Sequence, residues 1–542
     1  MDENIITRTQ QLIDELKATC ASYGLGNDGN EYKVITQVFQ YKFLNDKFIK
    51  TVAAELNVPA GMSEYDAIIA MSKDEYEDLR HTLSAEVAWF NREQLIPTLH
   101  NKQNMAGFDI LFDQTLEDIA AQNAGIFSVK TSADTTVLMF EKLSHFITDT
   151  GKRPDFCRAI INKLSQFSFA DAFDRGYDYF SSIYEYLIKD YNSDSGGKYA
   201  EYFTPHSVGR VMAEILVDGQ PKSVTCYDPT AGSGTLLMCL ASRIGANRCT
   251  IYSQDISQKS SGLLRLNLIL NGLANSLQNV VQGNTLTEPA FSAPNGGLKQ
   301  FNFIVSNPPF KLDFSDFREK LTSKERANIY FAGVPVVPAN KKESMAIYLC
   351  FLQHVLASLT NKGKAAIVLP SGFLTAGQKI EKAIRQQLVE KKWLRGGVSM
   401  PPNIFGTTGT SVSVLFIDKE NASSRMGAVL IDASKLGEDK TIDGKKRRVL
   451  TSADEQQIID AFKKHEPVDG LAVVPSYQEI EEKGFSFSAG QYFDVKIEHI
   501  DITPEEFNQK ISAFMAEFEE LSAKSSELDA EIRKQMMCLR YE

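Results

Sequence analysis

Apolar residues recur at every third or fourth position through the first 165 residues of the chain. The segments TQQLIDELKATCASY (9–23) and EYKVITQVFQYKFLNDKFIKTVAAEL (31–56) are the longest examples. This spacing places the apolar side chains on one face of a helix, and the Gly-Asn-Asp-Gly run at 26–29 interrupts it. No alternation typical of strands stands out, so the sequence predicts an all-helical N-terminal domain, residues 1–165.

From residue 223 onward, short apolar runs alternate with helix-like segments. The runs that predict strands are SVTCYD (223–228), TIYSQDI (250–256), NVVQGN (279–284), FNFIVSN (301–307) and KAAIVLPS (364–371). Such alternation predicts an α/β fold, a doubly wound and mainly parallel Rossmann-like sheet, in a domain of residues 166–480. Three later strand-like runs, at 396–402, 410–418 and 427–433, have no helix between them and predict an antiparallel pair at the end of the sheet.

The C-terminal segment, residues 481–542, contains a long amphipathic pattern that opens with a Thr-Pro-Glu-Glu helix start. Ser525 and Gln535 occupy the two polar gaps in its apolar stripe. The residues of the stripe are Ile511, Phe514, Phe518, Leu521, Leu528, Ile532 and Leu539. Heptad spacing predicts a long helix or a short coiled coil, which either packs on its own domain or docks a partner. We favour partner docking.

Two charged segments lie within the α/β region. KTIDGKKRRVL (440–450) is basic; a solvated loop is the favoured interpretation, and contact with phosphate is the alternative. The segment 311–342 carries many charges, and we expect it to be a mobile loop that orders over a bound substrate.

The amino-acid composition of the chain argues against several classes of function. The chain has 58 Lys and Arg against 69 Asp and Glu, a formal net charge of −11, which argues against a protein that coats nucleic acid over its whole surface. No apolar stretch is long enough to span a bilayer and the N-terminus lacks a signal-peptide pattern, so we expect a cytoplasmic protein without membrane contact. The seven cysteines form no C-x-x-C pair and the histidines are scattered, so we expect core thiols and no metal site.

A glycine-containing turn follows the first predicted strand, in YDPTAGSGTLL (227–237). Gly232 and Gly234 allow a ligand to approach the backbone closely. A G-x-G pair also suits a dinucleotide, but the third glycine of the phosphate-binding G-x-G-x-x-G pattern is missing. Asp228 stands at the strand end instead, and its carboxylate suits a cationic group such as an α-ammonium.

Polar residues also end the next two predicted strands. The position of Asp255 matches that of an acid which accepts hydrogen bonds from ribose hydroxyls, although a helix cap is the alternative. The amide of Asn284 could contact an adenine edge. The alternative is that Asn284 is a simple turn residue. Together, Asp228, Asp255 and Asn284 can hold a nucleoside that carries an amino acid, which describes S-adenosylmethionine.

The fourth predicted strand runs into Asn307-Pro308-Pro309-Phe310. The prolines end the strand and make a rigid corner. A Pro-Pro turn with no further role would explain the prolines, but not the Asn and Phe that flank them. An aromatic amino group is a poor nucleophile because its lone pair is delocalised into the ring. The Asn307 side-chain oxygen and the Pro308 carbonyl can both accept hydrogen bonds from such a group and localise its lone pair, while Phe310 stacks on the ring.

These stretches resemble the amino-methyltransferases that act on adenine in DNA, in the arrangement that places the glycine turn before NPPF. More specific are GKYAEYFTP (197–205), GNTL (283–286), IVLPSGFL (367–374) and SMPPNIFGTTGTSVSVLFI (399–417). With the helical N-terminus and the C-terminal helix, they look like the modification subunit of a type I restriction-modification enzyme. The resemblance covers most of the chain.

The resemblance implies roles for further residues. The cofactor-contacting YFTP segment corresponds to Glu201, Tyr202, Phe203, Thr204 and Pro205, and the glycine loop to Thr230, Ala231, Gly232, Ser233 and Gly234. Asn307, Pro308, Pro309 and Phe310 correspond to the catalytic motif, and Phe405 would border the target-base pocket. The family also implies double-stranded DNA with a flipped adenine as substrate, two such subunits assembled with one specificity subunit, and association with a restriction subunit.

Two alternatives remain open from the sequence. The same chemistry could act on RNA or on a protein glutamine, since N-P-P-[YF] occurs in those methyltransferases too. The chain could also be a scaffold that binds the cofactor without activity, but the intact NPPF at 307–310 argues against this.

Overall fold

The structure is a computed structural model that describes residues 2–26, 30–56, 58–83, 87–124, 128–131, 136–173, 183, 186–187, 204–293, 297–405, 411–420, 422–442, 445–493 and 503–538. The chain divides into two compact units, Met1–Tyr492 and Phe493–Glu542. The domain boundaries expected near residues 165 and 480 stay predictions. None of the helices within these ranges is long and apolar enough to cross a membrane.

The N-terminal region is helical, as the periodicity predicts. Its helices are α1 (Asp2–Ser22), α2 (Glu31–Glu55), α3 (Glu64–Ala70), α4 (Lys73–Thr82), α5 (Ile96–Lys102), α6 (Phe108–Gln122) and α7 (Arg153–Ser165). Helix α2 is the central one, because apolar residues around its circumference, such as Val38, Phe39 and Phe48, are fully buried. Two short strands, β1 (Val129–Thr131) and β2 (Thr136–Val137), also occur here. Strands of three and two residues are too short to show alternation in the sequence.

The α/β region has one large mixed sheet, which confirms the predicted fold class. Its strands in chain order after β1 and β2 are β3 (Val224–Asp228), β4 (Cys249–Asp255), β5 (Val280–Gln282), β6 (Phe301–Ser306), β7 (Leu359–Pro370), β8 (Leu394–Ser399), β9 (Val412–Asp418), β10 (Val429–Asp432) and β13 (Ala472–Val473). The spatial order is β13-β10-β8-β9-β7-β6-β3-β4-β5-β1-β2. Strands β7, β6, β3, β4, β5 and β1 run parallel.

Helices connect these strands. They are α8 (His206–Leu216), α9 (Thr235–Ile244), α10 (Gln258–Leu270), α11 (Arg318–Leu321), α12 (Tyr348–Ala357), α13 (Lys379–Glu390), α14 (Ser452–Lys464) and α15 (Tyr477–Glu482). The chain leaves β3 toward β4 and β5, then returns to β6 on the other side of β3. The strand order therefore reverses between β3 and β6, and in open α/β sheets ligands bind outside the carboxyl ends of the strands at such a switch point. We call the edge where β3, β4, β6 and β8 end the carboxyl edge.

The predicted antiparallel pair is present, but it lies inside the sheet. Strand β9 runs antiparallel to both β7 and β8, while β10 pairs parallel with β8 and β13 extends the sheet further. Gly396 in β8 permits this extension, because a Cβ there would lie 2.2 Å from the Val429 carbonyl oxygen of β10. The close approach of β10 could not be inferred from the hydrophobic pattern.

Both charged segments have more structure than the sequence suggests. The basic segment forms an antiparallel hairpin of β11 (Glu438–Ile442) and β12 (Lys445–Val449), so the prediction of a loop is wrong, although residues 438–441 are exposed to solvent as expected. The Asp-Gly dipeptide at 443–444 is a common hairpin sequence and was the available signal. Segment 311–342 contributes Phe314, Leu321, Tyr330 and Val334 to a small apolar core that it shares with Leu286 and with residues 345–351. Its closure over a substrate stays a prediction.

The second unit contains the predicted long helix, α16 (Pro504–Cys538). Six residues of its predicted stripe fall within the described part of the chain, and Leu539 lies outside it. All six are exposed.

Candidate active site

The turn after β3 is built around Asp228. This side chain is buried, and its Oδ1 accepts hydrogen bonds from the Thr230 backbone N–H at 2.8 Å and the Thr230 hydroxyl at 3.2 Å. Gly232 and Gly234 follow with φ of +51° and +86°. A Cβ on Gly234 would lie 2.1 Å from Leu264 Cδ1, whereas a Cβ on Gly232 would meet no atom within 4 Å. The first glycine therefore faces open space, and the second allows the turn to pack against α10.

The pKa of the buried Asp228 carboxyl group is unusually high. Burial raises its pKa to about 8; the hydrogen bonds from Thr230 oppose this shift, and the negative charge of Asp255 adds to it. At neutral pH the carboxyl is mostly protonated in the free protein. A cation placed beside it would favour the ionised form.

Asp255, at the end of β4, ties the glycine turn to the next strand. Its Oδ2 accepts a hydrogen bond from the Gly232 N–H at 2.8 Å, and its Oδ1 accepts one from the Ser257 N–H at 2.8 Å. The cap of α10 is the Ser257 side chain, which accepts from the Ser260 N–H. Beside Asp255, Ile256 is 62% exposed, an apolar side chain that the sequence analysis did not single out.

The end of β5 contacts the same turn. The Asn284 side-chain oxygen accepts from the Leu286 and Thr287 N–H groups at 3.0 and 3.3 Å, which is the geometry of a turn residue. The next residue, Thr285, donates its hydroxyl hydrogen to the Pro229 carbonyl at 2.7 Å. Three consecutive strand ends are thus joined around Gly232.

The corner after β6 stands directly beside this turn. Ser306, the last residue of β6, has its hydroxyl 2.7 Å from the Thr230 hydroxyl. The Asn307 side chain donates an amide N–H to the Thr204 hydroxyl oxygen at 3.0 Å. Because the NH2 of Asn307 is directed to Thr204, its carbonyl oxygen is directed elsewhere and can accept a hydrogen bond from a ligand.

Phe310 is the first of three aromatic rings that contact one another in a row. Its ring lies 6.4 Å from that of Tyr348, edge to face, and Tyr348 lies 6.2 Å from Phe373. Tyr348 is largely buried, and burial raises the pKa of its hydroxyl. Neither Tyr348, which contacts Phe310, nor Phe373, which contacts Tyr348, was predicted from the sequence. For Phe373 the IVLPSGFL segment was the available signal.

The structure brings most of the predicted site residues to the carboxyl edge. Hydrogen bonds link Thr230 to Asp228 and Gly232 to Asp255. A further hydrogen bond links Asn307 to Thr204. Pro205 precedes α8, and Ala231 receives the Gly234 N–H at 2.8 Å. Phe405 is buried in the main apolar core. Glu201, Tyr202 and Phe203 lie outside the described residues.

The residues present fit S-adenosylmethionine. Open space in front of Gly232 admits a ligand to the backbone, and a carboxylate stands at each of the first two strand ends. The exposed Ile256 offers an apolar surface next to the acid that would face a ribose. This combination of an open glycine, two acids and an apolar side chain suits a nucleoside with a cationic amino-acid tail.

Comparison with known proteins agrees with this geometry. The "Type I restriction enzyme MpnII methylase subunit" of Mycoplasma pneumoniae is 26% identical over 367 residues, which cover 66% of this chain and 64% of that protein. The MjaIX methylase subunit of Methanocaldococcus jannaschii is 28% identical over 387 residues, covering 68% of this chain and 66% of that protein. The matched part thus spans slightly less than two thirds of these curated relatives.

A solved structure has the same fold. The methyltransferase subunit of a type I restriction-modification system from Streptococcus thermophilus superposes with a TM-score of 0.70 at 23% identity, covering 90% of this chain and 100% of that one. The sequence profile of the family described as "N-6 DNA Methylase" matches residues 175–500. These residues include the glycine turn, the Asn307 corner and every strand of the sheet from β3 onward, and the chain belongs to the N-6 DNA Methylase family.

Proposed function

We propose that the protein transfers a methyl group from S-adenosylmethionine to the exocyclic N6 amino group of adenine in DNA, as the modification subunit of a type I restriction-modification enzyme. The observation that carries this proposal is the adjacency of two elements. The Asn307 corner, oriented through Thr204, stands beside the Gly232 turn because Ser306 and Thr230 are hydrogen-bonded.

The chain offers a distinct group for each part of the cofactor. We assign the ribose hydroxyls to Asp255, the α-ammonium group to Asp228 and one face of the adenine to Ile256. Asn284 lies at the adenine end, while Ala231, Ser233 and Gly234 complete the turn around the amino-acid tail. When bound, S-adenosylmethionine supplies an electrophilic methyl group on a positively charged sulfur.

The corner prepares the acceptor nitrogen. The Asn307 Oδ1 and the Pro308 carbonyl accept hydrogen bonds from the target NH2, which draws its lone pair out of conjugation with the ring. Pro308 and Pro309 hold both acceptors in place, so little reorganisation accompanies the reaction. One preorganised hydrogen-bonding group of this kind is worth about 10²–10³ in rate. The excess proton leaves after the methyl transfer.

Access to the corner requires an extruded base. Unstacking a base from a duplex costs a few kcal/mol, and stacking on an aromatic ring returns about 1–3 kcal/mol. Phe310 is partly buried and held by Tyr348, so it presents a fixed ring for this purpose.

The proposed partners follow from charge and from the C-terminal helix. A net charge of −11 favours an assembly in which another subunit supplies much of the contact with DNA. The exposed stripe of α16 is the segment that we assign to docking such a subunit. By the family resemblance, two copies of this chain join one specificity subunit in the cytoplasm and associate with a restriction subunit.

The test is methyl transfer from isotopically labelled S-adenosylmethionine by the chain assembled with its specificity subunit. Duplex DNA, single-stranded RNA and a glutamine-containing protein are offered as separate acceptors. We expect label only in duplex DNA, on deoxyadenosine. Label in RNA or glutamine would replace the proposed substrate, and cofactor binding without transfer to any acceptor would indicate a scaffold.

A further inference from the structure

The basic hairpin β11–β12 stands at the same edge of the sheet as the candidate active site. Strand β10 runs parallel to β8, which is antiparallel to β9, which in turn is antiparallel to β7. Strands β10 and β8 therefore end at the carboxyl edge, and the hairpin begins six residues after β10. The Arg448 N–H of β12 also donates to the carbonyl of Asn403, at 3.4 Å, in the segment that follows β8.

The hairpin is basic in an acidic chain. Between 438 and 449 it contains Lys440, Lys445, Lys446, Arg447 and Arg448 against Glu438, Asp439 and Asp443, whereas the whole chain carries a net charge of −11. A solvated loop would scatter these charges. The strand register instead assigns the charged residues of β11 and β12 to one of two faces, and Asp443 lies outside the described residues.

One face carries like charges opposite each other. Lys440 pairs directly with Arg447 across the two strands, and like charges at such positions are destabilising. Within the described part of the chain, the ion pair that Lys440 makes is with Glu438 at 3.9 Å. The Arg447 Nε is buried and has no hydrogen-bond partner. Among the described side chains of this face, one acid, Glu438, accompanies two cations, Lys440 and Arg447.

The other face holds an ion pair. Arg448 pairs across the strands with Asp439, and their side chains make an ion pair of 3.0 Å. The Arg448 Nε and Nη2 also donate to the carbonyls of Leu436 and Lys435, at 3.0 and 3.2 Å. Arg448 thereby fixes the base of the hairpin to the domain. The hairpin therefore has one arginine with a structural role, Arg448, and a face on which the cations Lys440 and Arg447 outnumber the acid beside them.

We propose that the Lys440–Arg447 face of the hairpin binds the phosphate backbone of the DNA whose adenine enters the Asn307 corner. This inference rests on the proposed function for its substrate. The anion is a nucleic-acid phosphate because the hairpin is anchored at the carboxyl edge, where a duplex must lie to deliver a base. An arginine and a lysine on one strand pair can each contact one phosphate.

The test measures binding of duplex DNA by the assembled complex as a function of salt. Each phosphate contact adds about 0.9 to the slope of log affinity against log salt concentration. We expect the double variant Lys440→Gln/Arg447→Gln to lower this slope by about 2. The charge-preserving variant Lys440→Arg/Arg447→Lys should retain the native slope, which separates a loss of charge from a loss of fold.

The matched control is Lys222→Gln. Lys222 is exposed and precedes β3, so it lies at the opposite edge of the sheet from the site. For the complex that carries Lys222→Gln, the slope of log affinity for DNA against log salt concentration should equal that of the native complex. An unchanged slope in the Lys440→Gln/Arg447→Gln variant would overturn the inference. Failure of this variant to assemble with the specificity subunit, while the charge-preserving variant assembles, would also overturn it, because the face would then bind an acidic protein. Methyl transfer by the native complex tests the proposed function separately.

Discussion

The carboxyl edge of the sheet and the C-terminal helix hold their side chains in opposite ways. At the edge, Asn307 and Asp255 make hydrogen bonds to distant parts of the chain, and Asp228 makes hydrogen bonds to Thr230 within its own turn. On α16, Phe514 and Phe518 are 65% and 72% exposed. The edge is therefore preorganised before any ligand arrives, whereas the helix displays an apolar stripe of the kind that a partner covers.

The difference suits the two regions to different tasks in an assembly, namely catalysis at the edge and docking on the helix. Chemistry that stabilises a developing charge needs groups that do not reorganise, and the hydrogen bonds at the edge supply that rigidity. A docking helix needs the reverse, since its stabilisation comes when the apolar surface is buried. Substitutions at the carboxyl edge should therefore reduce methyl transfer or cofactor binding, whereas substitutions in the stripe of α16 should reduce assembly.

The largest effect should come from Asn307→Ala. The substitution removes one acceptor of the target NH2 and the donor to Thr204, so we expect the single-turnover rate of methyl transfer to fall by about 10²–10³. The affinity for S-adenosylmethionine, measured by calorimetry, should stay within about twofold. Near-native transfer by this variant would refute the role assigned to Asn307.

Next in size is disruption of the stripe on α16. We expect Phe514→Asn/Phe518→Asn to weaken assembly with the specificity subunit by about 100-fold or more, because each buried Phe is worth about 1.5–3 kcal/mol. Affinity can be measured by analytical ultracentrifugation. The control Glu527→Asn changes an exposed residue on the opposite side of the same helix and should leave assembly unchanged. Equal assembly by both variants would mean that the stripe is not the docking surface.

Asp228 should couple cofactor binding to pH. Its pKa is about 8 in the free protein because burial disfavours the charged form, and a bound α-ammonium group would lower it. Binding then releases a proton, so cofactor affinity should rise as pH increases from 6 to 7.5, by up to about tenfold per pH unit. Asp228→Asn should bind more weakly and lose this dependence.

Calorimetry in two buffers of different ionisation enthalpy counts the released protons. We expect a release approaching one proton per cofactor near pH 7 for the native chain and none for Asp228→Asn. An identical pH profile for the two proteins would exclude Asp228 as the partner of the ammonium group.

The smallest effect should come from Thr204→Val. Loss of the 3.0 Å hydrogen bond leaves the Asn307 amide free to rotate, and a net hydrogen bond of about 1 kcal/mol corresponds to a fall in kcat of about fivefold. Thr204→Ser should restore the rate, and cofactor affinity should not change. Weaker cofactor binding at a native kcat would instead support the direct cofactor contact that the resemblance implies for this residue.

The sequence predicted the parallel sheet and the corner because both leave strong local signals. A buried strand running into Pro308-Pro309 and a glycine pair after Asp228 each specify backbone geometry within a few residues. The link between Thr204 and Asn307 joins residues 103 positions apart, so no local pattern could indicate it. The raised pKa of Asp228 depends on burial by the whole fold and was hidden for the same reason.

The central claim is tested most directly by the position of the transferred methyl group. Duplex DNA is incubated with the assembled complex and trideuteromethyl-labelled S-adenosylmethionine, then digested to nucleosides and analysed by mass spectrometry. We predict the trideuteromethyl group on N6 of deoxyadenosine with the native chain and its absence with Asn307→Ala. Label on another base, or equal labelling by the two proteins, would contradict the account.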